Sequence, residues 1–507
     1  MTETPTTRRE FLACGIALAG TLSACGNDDG DDMTSGNRAL LDLSATDAIK
    51  AMRNGSVSAE AYASALLEQA VRGRALNAFI TLEPDRVLEA ARDADRRRAA
   101  GQVPGLLHGL PIPVKDSVNT RDYPTTGGSP ALRHFVPAED ALLVRQLREA
   151  GAIVMGKTNV HELSFGWTSS NMAYGPVRNP YDPSRIPGGS SGGTAAAIAA
   201  RMAPLGIAED TQGSIRVPAA LCGICGFRPT QNRYPNQGVV PITPLFDQVG
   251  PHARHVRDLA LFDHVITGDE PVNTPRRLSD LRLGVPRQFF YADLDTEVAR
   301  IAEETLAALA KLGVTLVDAD VPDLGRLVSL TTAQVQSYHV KPMLEQYLDE
   351  FETGITFDEL MADTSPDVKA AFDLYVLGGN ETPSQDDFVA ARDTHLPALR
   401  RTMAGYFADS RLDAMIFPTT QISATPIGED TNVLLNGREV PFEAAISRNI
   451  SPGSTAGLPG LVLPVALDRR GLPVSMEIDG PANADRALLQ IGLALEDAFG
   501  TLPPPTL

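Results

Sequence analysis

Two glycine-rich segments, each holding a serine, constrain this chain more than any other feature. The first, G-G-S-S-G-G, contains Ser190, and the second, D-T-Q-G-S, ends at Ser214, 24 positions further on. A third segment, G-L-P-I-P-V-K-D, places Lys115 at the end of a short apolar run. Glycine lets backbone N–H groups turn toward a ligand and approach it closely. Because a hydroxyl beside such donors suits a nucleophile next to an oxyanion hole, the three segments predict a hydrolytic site.

Predicted helices and strands alternate along the chain. An amphipathic helix is predicted at 84–100, where proline begins it and glycine follows its end. The other predicted elements are two helices within 46–72 broken at Asn54-Gly55 and capped by Ser58, a helix at 138–150, an alanine-rich helix at 194–202, and strands at 109–114, 152–155, 414–418, 461–467 and 475–478. This alternation predicts an α/β architecture, and no linker divides the chain into separate domains.

The run from Pro187 to Thr230 closely resembles the signature of the amidase signature family of serine hydrolases. Further family-like pieces are Lys115-Asp116, Lys157-Thr158-Asn159, Gly457-Leu458-Pro459 and the stretch from Gly471 to Pro481, so that the likeness covers roughly residues 40–500. The resemblance implies one large catalytic domain at 40–507, with a central mixed β-sheet covered by helices. Residues from about 286 to 410 would be a helix-rich region that shapes the substrate pocket.

The resemblance also implies the roles of the three marked side chains. Ser214 would be the nucleophile, Ser190 the bridging serine and Lys115 the base. A lysine accepts a proton only when it is neutral, which requires burial to lower its pKa from about 10.4, and the apolar residues before Lys115 suit such burial. Asp116 would point to the opposite face of the same strand. No metal or cofactor is needed for this chemistry.

An oxyanion hole is expected around the nucleophile, formed by the backbone N–H groups of Thr211, Gln212, Gly213 and Ser214. Ser164 is a further expected substrate-binding residue. Gln212 stands where the family usually has a second glycine, and Ala208-Glu209 replaces a more usual small-residue lead. If that position needs a positive φ, glutamine costs about 1 kcal/mol of strain. The alternative is an adjusted loop whose amide side chain faces the substrate.

The N-terminus predicts export. Residues 7–12, T-R-R-E-F-L, match a twin-arginine pattern, and the apolar stretch at 11–24 is too short to span a membrane. L-S-A-C then resembles a lipobox, so residues 1–24 are interpreted as a signal peptide and Cys25 as a lipidation site in a periplasmic or cell-envelope lipoprotein. Residues 25–39 would form an acidic tether. Cys222 and Cys225 are interpreted as buried small residues rather than as a metal or redox pair.

Composition limits the partners. The chain has 507 residues, 43% hydrophobic content and a formal net charge of −19, and its densest basic run, Arg96-Arg97-Arg98, lies in a predicted helix without neighbouring aromatic residues. A nucleic-acid partner is therefore not expected. The predicted partner is a small-molecule amide, with membrane contact only through the lipid anchor. The oligomeric state stays open, with a homodimer as one arrangement.

The function that the resemblance implies is hydrolysis of linear carboxylic amides to acid and amine through an acyl-enzyme. The segment G-F-R-P-T at 226–230, followed by R-Y-P, resembles the branch that contains indoleacetamide and mandelamide hydrolases and favours small aryl or arylalkyl amides. Carbamates, anilides and esters stay open as substrates, as does an A-type subunit of a tRNA-dependent amidotransferase. Two further hypotheses are a G-x-S-x-G nucleophile elbow at Ser190 with a downstream histidine, and a non-catalytic binding protein.

Overall fold

A computed structural model describes residues 35–506, so the predicted signal peptide and the lipidation site at Cys25 lie outside the described residues. Within that range the strands are β1 (Phe79–Leu82), β2 (Pro111–Lys115), β3 (Ile153–Thr158), β4 (Ser170–Asn171), β5 (Gly175–Pro176), β6 (Leu205–Asp210), β7 (Cys225–Arg228), β8 (Gln248–Ala253), β9 (Arg282–Val285), β10 (Thr315–Asp318), β11 (Ala414–Pro418), β12 (Asn432–Leu435), β13 (Arg438–Pro441), β14 (Gly460–Leu467) and β15 (Pro473–Asp479).

The helices of the same range are α1 (Ser35–Asp42), α2 (Ala45–Asn54), α3 (Ala59–Arg72), α4 (Pro84–Ala99), α5 (Leu142–Glu149), α6 (Gly192–Ala199), α7 (Arg216–Leu221), α8 (Val256–Thr267), α9 (Arg287–Phe290), α10 (Thr296–Lys311), α11 (Leu324–Ser329), α12 (Thr332–Glu350), α13 (Phe357–Ala362), α14 (Pro366–Tyr375), α15 (Gln385–Ala390), α16 (Leu396–Ser410), α17 (Phe442–Ser447), α18 (Ser451–Ala456) and α19 (Asp485–Phe499). None of the described helices is both long and apolar enough to cross a membrane.

A single mixed sheet organises the molecule. Its strand order is β1-β3-β2-β6-β8-β7-β14-β15-β11-β9-β10. β2 runs parallel to both β3 and β6, whereas β6 and β8 are antiparallel. Helix α6 packs against β2 and β6, and α19 packs against β14 and α8. The structure therefore confirms the predicted α/β domain with a central mixed sheet covered by helices.

The strands that carry the site lie in the middle of the sheet. Every residue of β2, β3, β6, β7 and β8 is buried. Parallel strands covered by helices are typically apolar along their whole length. Polar side chains at the ends of β2 and β6 therefore stand out, and the register that pairs Val114 with Ile207 brings these two strand ends to the same edge.

Most predicted elements are present, with shifted ends. Helices α2 and α3 have the predicted caps, with Gly55 in the left-handed conformation and Ser58 accepting a backbone N–H. Helix α5 begins at Leu142 rather than 138, because Asp140 accepts the N–H of Arg121 outside the helix. Residues 35–39, which were predicted as the end of the tether, belong to helix α1. This helix is held on the domain because Leu41 packs in the main core.

The region from 286 to 410 is mainly helical but includes β10. Its aromatic residues divide between two environments. Phe290 is fully buried and packs on Phe417 with ring centroids 4.3 Å apart, whereas Tyr375 lines the cavity described below. Cys222 and Cys225 are buried and are not joined in a disulfide, as the sequence predicts.

Candidate active site

Lys115 is the last residue of β2, and its side chain is completely buried. Its Nζ atom lies 2.7 Å from Ser190 Oγ and 2.8 Å from Glu209 Oε2, and it also contacts the main-chain oxygen of Glu209 at 3.3 Å. The predicted contact between the lysine and the bridging serine is therefore present. The carboxylate contact is an addition that the sequence motifs did not indicate.

Ser190 lies in the loop that precedes α6. The carbonyl oxygen of Ser190 accepts the N–H of His161 at 3.1 Å and the hydroxyl of Ser169 at 3.1 Å. Close packing explains a glycine at the start of α6, since a Cβ at Gly193 would lie 2.4 Å from the carbonyl oxygen of Asn159. The loop is thus fixed from two sides, and the Ser190 hydroxyl is held against the lysine.

The second serine loop begins at the end of β6, where Asp210 is completely buried. Its carboxylate accepts the N–H groups of Gly213 at 2.8 Å and Ile215 at 3.1 Å. It also forms ion pairs with Arg216 at 3.0 Å and Arg228 at 3.1 Å. Burial acts to raise the pKa of Asp210, but the two guanidinium groups outweigh it and hold that pKa well below its usual range. The carboxylate is therefore a charged anchor for the loop.

The loop geometry bears on the expected oxyanion hole. Gly213 has a φ of +103°, whereas Gln212 is outside the positive-φ region, so the glutamine carries no such strain. The N–H of Gly213 donates to Asp210 and is thus already engaged. The N–H groups of Thr211, Gln212 and Ser214 have no acceptor within the part of the chain that the structure describes. These three groups are the free donors of the predicted set.

Ser214 lines a cavity of about 320 Å³. The wall includes Ser164, whose hydroxyl is buried without a partner among the described residues, together with Trp167 and Tyr375. The indole N–H of Trp167 donates to the carbonyl oxygen of Gln212 at 2.9 Å and connects this wall to the loop that carries Ser214. Further lining residues come from α11 and α12, namely Val328, Ser329, Thr332, Ala333, Gln336 and Ser337. The structure thus brings Ser164, Gln212 and Ser214 to one cavity.

Burial sets the electrostatics of Lys115. It lowers the pKa of the lysine from its ordinary value of 10.5, although the carboxylates of Glu209, Asp210 and Asp247 act in the opposite direction. Lowering the lysine pKa favours the neutral amine, which is the form that can accept a proton.

Asp116 is directed away from Lys115 and toward a second buried lysine. Its Oδ1 atom lies 3.2 Å from Nζ of Lys157, and its Oδ2 atom accepts the hydroxyl and the N–H of Thr126. Neighbours on a strand alternate between faces, so adjacent lysine and aspartate residues can serve separate environments. The structure confirms this expectation for Lys115 and Asp116.

Glu209, Asp247, Arg216 and Arg228 are site residues that the sequence motifs did not identify. Each has an ionisable side chain that is at least nine-tenths buried. The signal available in the sequence was the pair Glu209-Asp210 immediately before the glycine-rich segment, because acidic residues seldom end a buried strand without partners.

The nucleophile elbow at Ser190 is excluded. That motif requires a strand directly before the serine, but residues 187–191 form a loop without strand structure. It is Ser214 that follows closely on a central strand, β6. Within residues 35–506, no group of three or more His, Cys, Asp and Glu side chains is arranged to hold a metal ion.

A buried lysine hydrogen-bonded to one serine, with a second serine on a cavity wall, is the arrangement expected of a serine hydrolase. Comparison with known proteins agrees. The family model described as Amidase matches residues 62–489, and the chain belongs to this family of amide-hydrolysing enzymes.

Named relatives and a solved structure extend this match. An indoleacetamide hydrolase of Rhizobium radiobacter is 42% identical over 436 residues, which are 86% of this chain and 92% of the relative. A mandelamide hydrolase of Pseudomonas putida is 37% identical and covers 92% of this chain and 93% of its own. A crystal structure of an amidase superposes with a TM-score of 0.81 at 30% identity, covering 90% of this chain and all of the other.

A more distant relative is the A-type subunit of a glutamyl-tRNA(Gln) amidotransferase from Anaeromyxobacter sp. It is 34% identical and covers 86% of this chain and 92% of its own. The chain is thus an amidase of the indoleacetamide and mandelamide hydrolase type, and the amidotransferase component is less similar to it.

Proposed function

We propose that this amidase cleaves its substrate through Ser214, with Ser190 as the proton bridge and Lys115 as the base. The observation that carries the proposal is the 2.7 Å contact between Lys115 Nζ and Ser190 Oγ in a completely buried position. A serine hydroxyl is a weak nucleophile until a base removes its proton. A buried lysine of lowered pKa is such a base.

Acylation would begin at Ser214. Ser214 Oγ attacks the amide carbonyl, its proton passes to Ser190 Oγ, and the Ser190 proton passes to Lys115 Nζ. The N–H groups of Thr211, Gln212 and Ser214 would stabilise the oxyanion, each worth a few kcal/mol in the transition state. The proton then returns through Ser190 to the departing amine, and water releases the acid from Ser214 by the same path in reverse.

The cavity supports a small uncharged substrate with an aromatic group. Phe165, Trp167 and Tyr375 offer ring surface, and Glu443 is the one acidic or basic side chain among the described residues that line the cavity. Glu443 is exposed to solvent, which weakens the effect of its charge. The relatives named indoleacetamide hydrolase and mandelamide hydrolase support an aryl-substituted acetamide as the substrate class.

The test is a substrate panel assayed on the purified chain alone. Arylacetamides, aliphatic amides, anilides, carbamates and esters are compared by kcat/KM, with Ser214→Ala as the matched control. We expect arylacetamides to give the highest values. Higher values for carbamates, anilides or esters would reassign the substrate class, and no turnover without partner subunits would favour the amidotransferase alternative.

We also propose, from the N-terminal sequence alone, that the enzyme is exported by the twin-arginine route and anchored through lipid at Cys25. The motif and the short apolar stretch support this proposal. Expression with labelled palmitate tests it. Label in the membrane fraction that is lost in Cys25→Ala supports the anchor, and equal labelling of both chains refutes it. Sedimentation of the purified enzyme tests the homodimer.

A further inference from the structure

Glu209 occupies the end of β6 and is buried to 2% exposure beside Lys115. It offers two acceptors to the lysine, namely carboxylate Oε2 at 2.8 Å and the main-chain oxygen at 3.3 Å. The third neighbour of Nζ is the Ser190 hydroxyl. Among the described residues, these are the hydrogen-bonding partners of this nitrogen.

The three partners suit both charge states of the lysine, because the Ser190 hydroxyl can accept from an ammonium group or donate to a neutral amine. A neutral amine has two N–H donors and one lone pair, whereas an ammonium group has three donors and no acceptor. When the lysine is neutral, the two oxygens of Glu209 accept both of its N–H groups. The lone pair is then directed at Ser190, whose hydroxyl can donate to it. Glu209 therefore orients the base for the proton transfer from serine.

The carboxylate of Glu209 is itself held in place. Its Oε1 atom lies 3.0 Å from the hydroxyl of Thr211, which is also 2.7 Å from Asp247 Oδ1. The single hydroxyl proton of Thr211 can be donated to only one of these two oxygens at a time. Burial and the neighbouring Glu209 raise the pKa of Asp247 to about 7, so Asp247 carries a proton at acidic pH and is ionised at alkaline pH.

We propose that Glu209 is a positioning residue of this amidase, which directs the Lys115 lone pair at Ser190 and is fixed by Thr211 and Asp247. The inference rests on the proposed roles of Lys115 and Ser190. It adds a carboxylate to the machinery that serves the nucleophile.

The ionisable groups around Lys115 come from several elements. Glu209 and Asp210 lie at the end of β6, and Asp247 directly precedes β8. All three carboxylates favour the charged lysine. Two histidines, His161 and His252, also interact electrostatically with the lysine. Burial lowers the pKa of each to about 4, so that both are neutral above pH 5. Glu209 is the acidic group in direct contact with Nζ.

The experiment measures how the rate of Ser214 labelling by a fluorophosphonate, and kcat/KM for an arylacetamide, vary with pH. Glu209→Gln keeps an acceptor but removes the charge, so the acid limb of both profiles is expected to move down by about 1–3 pH units. KM is expected to change little while kcat falls. Glu209→Asp, which restores a carboxylate, is expected to return the limb toward its original position.

Asp247→Asn is the second variant, expected to move the limb in the same direction by a smaller amount. The matched control is Asp258→Asn. Asp258 is also fully buried, but its carboxylate accepts the N–H groups of Ala45 and Thr46, which are distant from it along the chain. Profiles of Glu209→Gln that coincide with those of the unchanged enzyme overturn the inference. If Glu209→Gln does not fold, an unmoved limb in Asp247→Asn overturns it.

The outcomes separate this inference from the proposed function on which it rests. Absence of Ser214 labelling in the unchanged enzyme contradicts the proposed nucleophile. Labelling that occurs normally, but with an acid limb insensitive to Glu209, contradicts only the positioning role.

Discussion

Asp210 Oδ1 accepts the N–H of Gly213 at 2.8 Å, and this contact joins the end of β6 to the loop that presents Ser214. The same carboxylate is paired with two buried arginines, Arg216 and Arg228. A charge buried with its partners is costly to disturb, because removing one member leaves the others uncompensated. The position of the loop that carries Ser214 therefore depends on the buried ion cluster of Asp210, Arg216 and Arg228.

Replacing Asp210 by Asn is expected to reduce both stability and turnover. The variant loses the charge between the two arginines and one of the two acceptors that hold the loop, at a cost of roughly 3–5 kcal/mol of unfolding free energy. Urea denaturation measures the first effect, and kcat at fixed pH the second. In the control Asp258→Asn, stability is expected to fall while kcat of the folded enzyme is retained. Equal kcat values in both variants would contradict the anchoring role.

Substitution of the three proposed catalytic residues is expected to give a graded loss of kcat. Ser214→Ala removes the nucleophile and should reduce kcat by roughly 10⁴-fold or more. Lys115→Ala should follow closely, and Ser190→Ala should retain more activity, with losses of about 10²–10⁴-fold typical of proton-transfer residues. Steady-state assays on one arylacetamide measure the order.

The control for the lysine is Lys157→Met. Lys157 is equally buried and pairs with Asp116, so its removal tests the loss of a buried lysine without touching the serines. Its folded fraction is expected to keep kcat. Full activity of Lys115→Ala at pH 7 would exclude lysine as the base.

The pH profile of kcat/KM is expected to fall on acidification. Lys115 works as a base only when it is neutral, so activity is lost as pH falls through its pKa, which burial places below the ordinary value of 10.5. The measurement uses the unchanged enzyme at constant ionic strength. A flat profile down to about pH 5 would be inconsistent with a lysine base.

Stability is expected to decrease over the same acidic range for a separate reason. Burial lowers the pKa of His252 to about 4, and its Nε2 atom contacts the carbonyl oxygen of Ile215 at 2.7 Å. In the unfolded chain His252 binds a proton near pH 6.5, whereas in the folded chain it does so only near pH 4. The free energy of unfolding therefore falls as pH drops below 6.5, by roughly 3 kcal/mol at most.

Urea denaturation between pH 7.5 and pH 5 measures this effect. His252→Gln is expected to have a weaker pH dependence of the unfolding free energy than the unchanged enzyme. Identical slopes would show that His252 does not contribute. Comparing the two profiles also separates loss of Lys115 function from acid unfolding.

Local patterns predicted much of the fold. Glycine and serine caps located α2 and α3 within a residue or two, because those ends are set by backbone conformation and a side-chain hydrogen bond. The strand β6 was not predicted, because its last two residues are acidic and such residues do not indicate a buried strand. Ion pairs with residues distant along the chain make that burial tolerable, and no local pattern shows them.

In the candidate site, too, local motifs were predictable from the sequence and contacts between distant segments were not. Lys115, Ser190 and Ser214 stand in contexts that a sequence motif reveals, and the structure places Lys115 and Ser190 in contact. The contact with Glu209 was not foreseen, since it needs the register between β2 and β6. The engagement of the Gly213 N–H by Asp210 likewise depends on a turn that brings the carboxylate back to its own loop.

Gln212 is expected to influence substrate choice rather than loop stability. Its side chain lines the cavity with Oε1 unpartnered among the described residues, while Nε2 lies 3.3 Å from the Thr455 hydroxyl. Because Gln212 is not in the positive-φ region, Gln212→Gly relieves no strain and should lower the unfolding free energy by about 0.5–1 kcal/mol through added chain entropy.

The same substitution enlarges the cavity beside Ser214. We expect KM for small arylacetamides to rise and the ratio of kcat/KM values to shift in favour of bulkier amides, since a space that the side chain filled becomes open to substrate. The control is Gln336→Ala, which alters the α12 wall away from the nucleophile loop. A Gln212→Gly enzyme that is more stable than its parent, with unchanged substrate ratios, would mean that glutamine strains the loop and does not contact substrate.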